Sequence, residues 1–171
     1  YTNLTSLTVD GTANIGANVT TTGTQTYAGA VTVSAASTLS TTDSNVTLGS
    51  TVTLGENLTV NTGAGAGDIV ISGAIDGAKA LSLSAGTGAI TLSETVGQTT
   101  RLGAVTLNST GATTLGKAIK AASLTTNAGG TVLINGGSVD TTGVQTYGEA
   151  ITLGANTTLE GLSLIHISEP T

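Results

Sequence analysis

Ten carboxylates, four basic residues and one histidine carry nearly all the ionisable chemistry of this 171-residue chain. The acids are Asp10, Asp43, Glu56, Asp68, Asp76, Glu94, Asp140, Glu149, Glu160 and Glu169. Cleaving a polysaccharide takes paired carboxylates, or an acidic metal cluster beside a base. Asp68 and Asp76, with Lys79 close behind, are the nearest approach to that pattern. Solvated turn charges account for them more simply. Glu94 and Arg101 have the spacing of a surface ion pair, which contributes little energy. The chain has no cysteine, and its one histidine is His166, so a nucleophile activated by a neighbouring base is not available. No Gly-rich loop is followed by Lys-Ser or Lys-Thr for a phosphate. Gly63-Ala-Gly-Ala-Gly-Asp68 has part of the spacing of a calcium-binding glycine-aspartate turn, but it is one residue short and occurs once. It reads as a turn insertion. The sequence therefore predicts no catalytic residue, no cofactor and no metal, and a protein that is not an enzyme.

The composition excludes other classes. The net charge is −6 with only four Lys and Arg, too few to engage a phosphate backbone or an anionic membrane. Nucleic acid is not an expected partner, and no apolar run is long enough to insert in a membrane. Charged residues make up 8% of the chain and aromatics 2%, while 38% is hydrophobic. Such a chain is too apolar for a disordered segment. Thr, Val and Ile favour strands, and the 25 glycines with Asn and Asp favour turns. Six Asn-x-Ser/Thr sequons start at Asn3, Asn18, Asn45, Asn57, Asn108 and Asn156, as Thr abundance alone would produce.

Two nested repeats organise the chain. Thr20 to Leu39 matches Asp140 to Leu159 at eleven of twenty positions, and each copy contains Gly-x-Gln-Thr-Tyr. That long repeat measures 120 residues. Within it, Leu58-Thr-Val-Asn61, Leu81-Ser-Leu-Ser84, Val105-Thr-Leu-Asn108 and Leu124-Thr-Thr-Asn127 align, and Leu7-Thr-Val-Asp10 resembles them. A second run follows at 68–71, 89–92, 112–115 and 131–134, and a third ends at Ile75, Val96, Ile119 and Val139.

Leu-Thr-Val has a period of two, so Leu and Val face one side and Thr the other. Three residues cannot bury their apolar side alone. Stacked on the equivalent strand of the next unit they gain ladder hydrogen bonds and a shared core. The expected fold is all-β, a single-stranded right-handed parallel β-helix of about seven coils over residues 1–161, roughly 35 Å long at one strand spacing per coil. An antiparallel β-sandwich is the competing arrangement. Asp10, Asn61, Ser84, Asn108 and Asn127 are expected to form a structural turn ladder. Tyr27 and Tyr147 are expected at one recurring coil corner, rings over a turn and hydroxyls toward water. Rows of outward Thr raise a lattice-binding face, against which the 19 to 24 residue spacing of the aligned runs counts.

The run Leu162 to Thr171 differs from everything before it and resembles a translated sequencing-library adapter, so residues 162–171 are set apart as a non-native tail. The rest resembles the repetitive shaft of large bacterial adhesins of the filamentous-haemagglutinin type. The residues that carry this are Thr-Thr-Gly-x-Gln-Thr-Tyr at 21–27 and 141–147, Ala-x-Thr-x-x-Ala at 30–35 and 150–155, and Leu124-Thr-Thr-Asn-Ala-Gly-Gly-Thr-Val-Leu-Ile-Asn-Gly-Gly. The resemblance implies an exported protein at the bacterial cell surface and a stiff stalk with adhesive contacts. Its implied partners are flanking solenoid repeats of the same chain and host-surface or matrix ligands. End-to-end self-association is expected of the segment alone. A polysaccharide-binding or polysaccharide-cleaving β-helix is the alternative.

Overall fold

The structure, a computed structural model, describes residues 4–127 and 129–166. Each short apolar–Thr–apolar segment finds its equivalent one turn away. Leu7–Val9, Gln25–Tyr27, Val46–Leu48, Ile69–Ile71, Ile90–Leu92, Ala112–Leu115, Thr131–Ile134 and Ala150–Leu153 pair in that order as one parallel sheet, face A. Face B starts with Ala13–Ile15, Val31–Val33, Val52–Leu54 and Ile75–Asp76. It continues through Val96, Ile119 and Val139. Face C runs from Val19–Thr20 through Ser37–Ser40, Leu58–Asn61 and Leu81–Ser84. Farther on, Leu102–Asn108 and Ile119–Thr126 cross from face B to face C without a break.

Seven registers carry face A from Leu7 to Ile151, so the chain is a parallel β-solenoid of about seven turns. The expected solenoid is correct, and the sandwich is not. The aligned runs also meet as expected: Leu58 lies beside Leu81, Leu81 beside Val105, and Val105 beside Leu124. Leu7-Thr-Val-Asp10 is the exception. Leu7–Val9 pairs with Gln25–Tyr27 on face A, not with the face C runs it resembles. Ser163–His166, within the run set apart as a tail, forms a further strand against Val144–Tyr147.

Inward residues of the middle coils make one continuous core. Val33, Leu39, Val46, Leu48, Val60 and Ile69 are wholly buried. A fully buried Val, Leu or Ile side chain contributes about 1.5–3 kcal/mol. A tube three strands around has room for these small branched side chains, which suits a chain with no Phe or Trp.

The coils differ in length, from 18 residues between Leu7 and Gln25 to 23 between Val46 and Ile69, yet the columns stay in register. The corner from face C to face A absorbs much of the difference. In the first three of these corners an inward hydroxyl closes the turn onto a carbonyl. Thr21 reaches Gly23, Thr41 reaches Ser44, and Thr62 reaches Gly67, spans of two, three and five residues. All three threonines are buried. An inserted residue lengthens the outer loop and leaves the core column where it was.

Thr113 breaks the pattern. It is 1% exposed between Ile90 and Val132, and its hydroxyl has no hydrogen-bond partner. A buried unpartnered polar group costs about 1–3 kcal/mol, and Val has the same shape without that cost. Thr113→Val should raise the urea midpoint by the equivalent of about 1 kcal/mol with an unchanged m-value; a lowered midpoint would contradict this packing.

Candidate functional site

The repeated Thr-Thr-Gly-x-Gln-Thr-Tyr builds the most elaborate polar site among the described residues. Thr21 Oγ1 donates to the Gly23 carbonyl at 2.5 Å, and Gly23 N–H donates to the Thr5 carbonyl of the coil below. A Cβ on Gly23 would lie 2.6 Å from that same oxygen, so only glycine lets the backbones approach this closely. Gln25 points into the core and is fully buried. Its Nε2 donates to the carbonyls of Val19 (3.1 Å) and Ser40 (2.8 Å) and lies 3.3 Å from Thr21 Oγ1. Tyr27 then donates its hydroxyl to Gln25 Oε1 at 3.2 Å.

The second copy repeats each bond. Gln145 Nε2 reaches Val139 O (3.0 Å), Glu160 O (2.7 Å) and Thr141 Oγ1 (3.2 Å), and the Tyr147 hydroxyl donates to Gln145 Oε1 at 3.0 Å. Gly143 lies against the Ala122 carbonyl as Gly23 does against Thr5. The motif thus ties a corner, the strand before it and the coil above it to one buried amide.

The structure corrects the tyrosine expectation twice. Tyr27 and Tyr147 are 1% and 0% exposed, with their hydroxyls on glutamine rather than water. They also do not occupy one recurring corner. Gln25–Tyr27 belongs to face A, whereas Val144–Tyr147 pairs with Leu124–Thr126 on face C. The same sequence folds the same way on two faces, because what it needs is a corner with a coil below and above.

The turn ladder also changes. Asn61, Ser84 and Asn108 lie in one register on face C, and Asn127 follows Thr126, the partner of Leu107. Asp10 lies elsewhere, after Val9 on face A, because its strand stacks on Tyr27. Asn61 Oδ1 accepts the N–H of Gly63 in its own turn, and Asn127 Oδ1 accepts that of Ser109. Ser84, Asn108, Ser109 and Asn127, with Gly63, Gly86 and Thr110, line a shallow groove of about 240 Å³.

Most charged side chains reach one coil along the stack. Asp43 accepts the N–H of Gly65 at 2.6 Å, which seats the Gly63–Asp68 insertion on the turn below it. Asp43 has φ of 50°, a left-handed conformation that Asp tolerates better than most residues. Asp68 accepts from Ala89 N–H (2.8 Å), and Asp76 from the N–H groups of Thr99 and Thr100. Lys79 pairs with Glu56 at 2.9 Å. Asn18, Asn45 and Asn57 take backbone N–H groups of the next coil in the same way. Asp68, Asp76 and Lys79 are therefore held by separate partners on separate elements, not gathered around one groove.

Arg101 was expected beside Glu94 and lies instead against Asp140, two coils on. Its guanidinium donates to Asp140 Oδ2 and to the Asp140 carbonyl, both at 2.7 Å, and to the Ala121 carbonyl at 3.1 Å. Sequence spacing alone does not reveal a partner 39 residues away; the stack does. The hydrogen bond from Arg101 holds the Asp140 carboxyl below the usual range. With its folded value depressed, Asp140 stabilises the fold above its unfolded pKa, and that contribution is lost as pH falls through the folded value.

Glu149 is the opposite case. It replaces Gly29 of the first copy and is 4% exposed. Its Oε2 accepts the Gly130 N–H at 3.3 Å, while Oε1 and the facing Thr126 hydroxyl stop short of a hydrogen bond. Burial raises its pKa, and Thr126 and the Gly130 N–H act weakly the other way. A raised folded value makes the ionised form the costly one. Glu149→Gln should stabilise the fold at neutral pH and lose that advantage below the unfolded carboxyl value of about 4.3. Paired unfolding curves at both pH values check it, and a variant weaker at neutral pH would contradict it.

The tyrosines give a second pH test. Burial raises Tyr27 to about 12 and moves Tyr147 the same way. The stabilisation they lend is complete below the unfolded value of about 10 and lost as pH rises toward the folded one. Ultraviolet titration should show tyrosinate from these two only with unfolding. Tyr27→Phe and Tyr147→Phe should each cost about 1–2 kcal/mol by stranding a glutamine oxygen; ionisation of both near pH 10 in the folded protein would refute the burial.

Compared with protein-family models, curated proteins and solved structures, the chain matches none.

Proposed function

We propose that this chain is a structural repeat segment of a secreted or surface-exposed bacterial adhesin, acting as a stiff extended stalk with adhesive contacts. The observation that supports it most is the direction of the polar bonds. Asp43, Asp68, Asp76, Glu56 with Lys79, and Arg101 with Asp140 each connect one coil to a later one. These side chains are engaged in holding successive coils together. A stack cross-linked in this way resists bending and shear, which is what a stalk has to do. Uncharged Thr on the outward positions keeps the long faces hydrated without electrostatic repulsion between coils.

The reading assigns no catalytic residue, no cofactor and no nucleic-acid partner. Flanking solenoid coils are its structural partners, and host-surface or matrix molecules its ligands. Antibody against the purified chain should label intact cells that carry the gene and lose its target when the cells are shaved with protease. Labelling only after lysis would remove the surface assignment.

A polysaccharide-binding or polysaccharide-cleaving solenoid is the second reading, favoured by the groove of Ser84, Asn108 and Asn127. It predicts retention on a polysaccharide panel that Asn108→Ala abolishes, and new reducing ends if cleavage occurs. Neither outcome is expected of a stalk.

A further inference from the structure

From face A to face B the inward column advances by four residues in each of the first six coils, from Val9 and Ala13 to Leu115 and Ile119. The seventh corner takes five, from Ile134 to Val139. Its extra residue falls in Asn135-Gly136-Gly137-Ser138, where Gly137 turns with φ of 75°. The only Asn-Gly pair of the chain lies in this lengthened corner. Gly136 is imposed by the stack, because a Cβ there would collide with the Lys117 carbonyl of the coil below. The strand side of the corner is held: Asn135 N–H donates to the Leu115 carbonyl at 2.9 Å, and Gly154 N–H to that of Ile134 at 3.0 Å. Beyond that point the hold ends. Among the described residues, no hydrogen bond engages the exposed Asn135 side chain or the Gly136 N–H. By contrast, the amide oxygens of Asn14, Asn18, Asn45, Asn57, Asn61 and Asn127 each accept a hydrogen bond. Every asparagine other than Asn135 is also followed by a residue whose side chain crowds its backbone nitrogen.

We propose that Asn135 is a site of self-modification, where the folded chain loses an amide through a cyclic imide and gains a carboxylate. The Gly136 nitrogen gives up its proton and bonds to Asn135 Cγ. The bond from Cγ to the side-chain nitrogen breaks, and ammonia leaves. Water then opens the succinimide ring on either side. Opening at Cγ gives aspartate. Opening at the Asn135 main-chain carbonyl gives isoaspartate, whose backbone runs through the side chain and is one carbon longer. Glycine leaves the attacking nitrogen uncrowded, and the Gly-Gly corner has the freedom to bring it onto Cγ. Either product adds one negative charge to a chain of net charge −6. A longer corner is tolerated here, since the eighth coil takes six residues from Leu153 to Leu159 and keeps the face B register.

The test ages the folded full chain at mildly alkaline pH and physiological temperature. Fragmentation mass spectrometry maps the converted sites, and enzymatic carboxyl methylation counts isoaspartate. Asn135 should convert at least about tenfold faster than any other asparagine. The aged chain should show a more acidic band on isoelectric focusing, ammonia in the amount of that band, and an unchanged β-sheet circular-dichroism spectrum. Asn135→Gln keeps the amide but closes the equivalent ring far more slowly, so it should lose the band. Should that variant not fold, site mapping of the wild-type chain decides alone. A chain unfolded in urea is the reference for reactivity without the fold. Conversion of Asn135 there but not in the folded chain, a different asparagine converting first, or unfolding of the aged chain would overturn the proposal.

Discussion

Everything in this molecule depends on the register between one coil and the next. A three-residue strand has no stability by itself; its hydrogen bonds and its buried neighbours both come from the equivalent strand a turn away. Once Leu58 is beside Leu81 and Leu81 beside Val105, the inward columns fill the tube and the outward residues line up. The corner hydroxyls of Thr21, Thr41 and Thr62 then let loops of different length join columns that do not move. The composition follows from the same constraint. Small branched residues fit the interior, and each charge is best used where it can reach the next coil.

Faces of the solenoid are interchangeable as far as a short segment is concerned. The Thr-Thr-Gly-x-Gln-Thr-Tyr corner makes the same bonds on face A with Tyr27 and on face C with Tyr147. The 120-residue repeat is thus not a whole number of turns, and its copies are related by a shift of one face. The corner works as a unit, with Gly23 or Gly143 for close approach and the buried amide for the carbonyls. The stalk reading draws on this modularity, since such units can be added without disturbing the coils below.

Local pattern made the fold legible, and only the stack made the site legible. Period-two alternation marks which residues face inward, and the aligned runs ending at Asn61, Ser84 and Asn108 fall in one column. Alternation does not say which face a strand joins. For that reason Leu7-Thr-Val-Asp10 resembles the face C runs yet stacks on face A, which takes Asp10 out of the ladder. A tyrosine after a turn reads as exposed until Gln25, two residues earlier, is seen to offer it a buried acceptor. The Gln-x-Tyr spacing was the available signal, because residues two apart share a side of a strand. Arg101 with Asp140, and Asp43 with Gly65, carry no such signal, since their distance in sequence depends on the length of every corner between them.

The central claim is that distance along the rod is set by turns and not by residues. Pairs of spin labels on the outward Thr row of face A measure this directly. Thr47 and Thr91 lie two registers apart, Thr26 and Thr114 four, and Thr26 and Thr152 six. At one strand spacing per register the separations should be about 10, 19 and 29 Å, a straight line through the number of turns. Distances that depart from that line by more than about one strand spacing, or that fail to grow from pair to pair, would contradict the in-register stack.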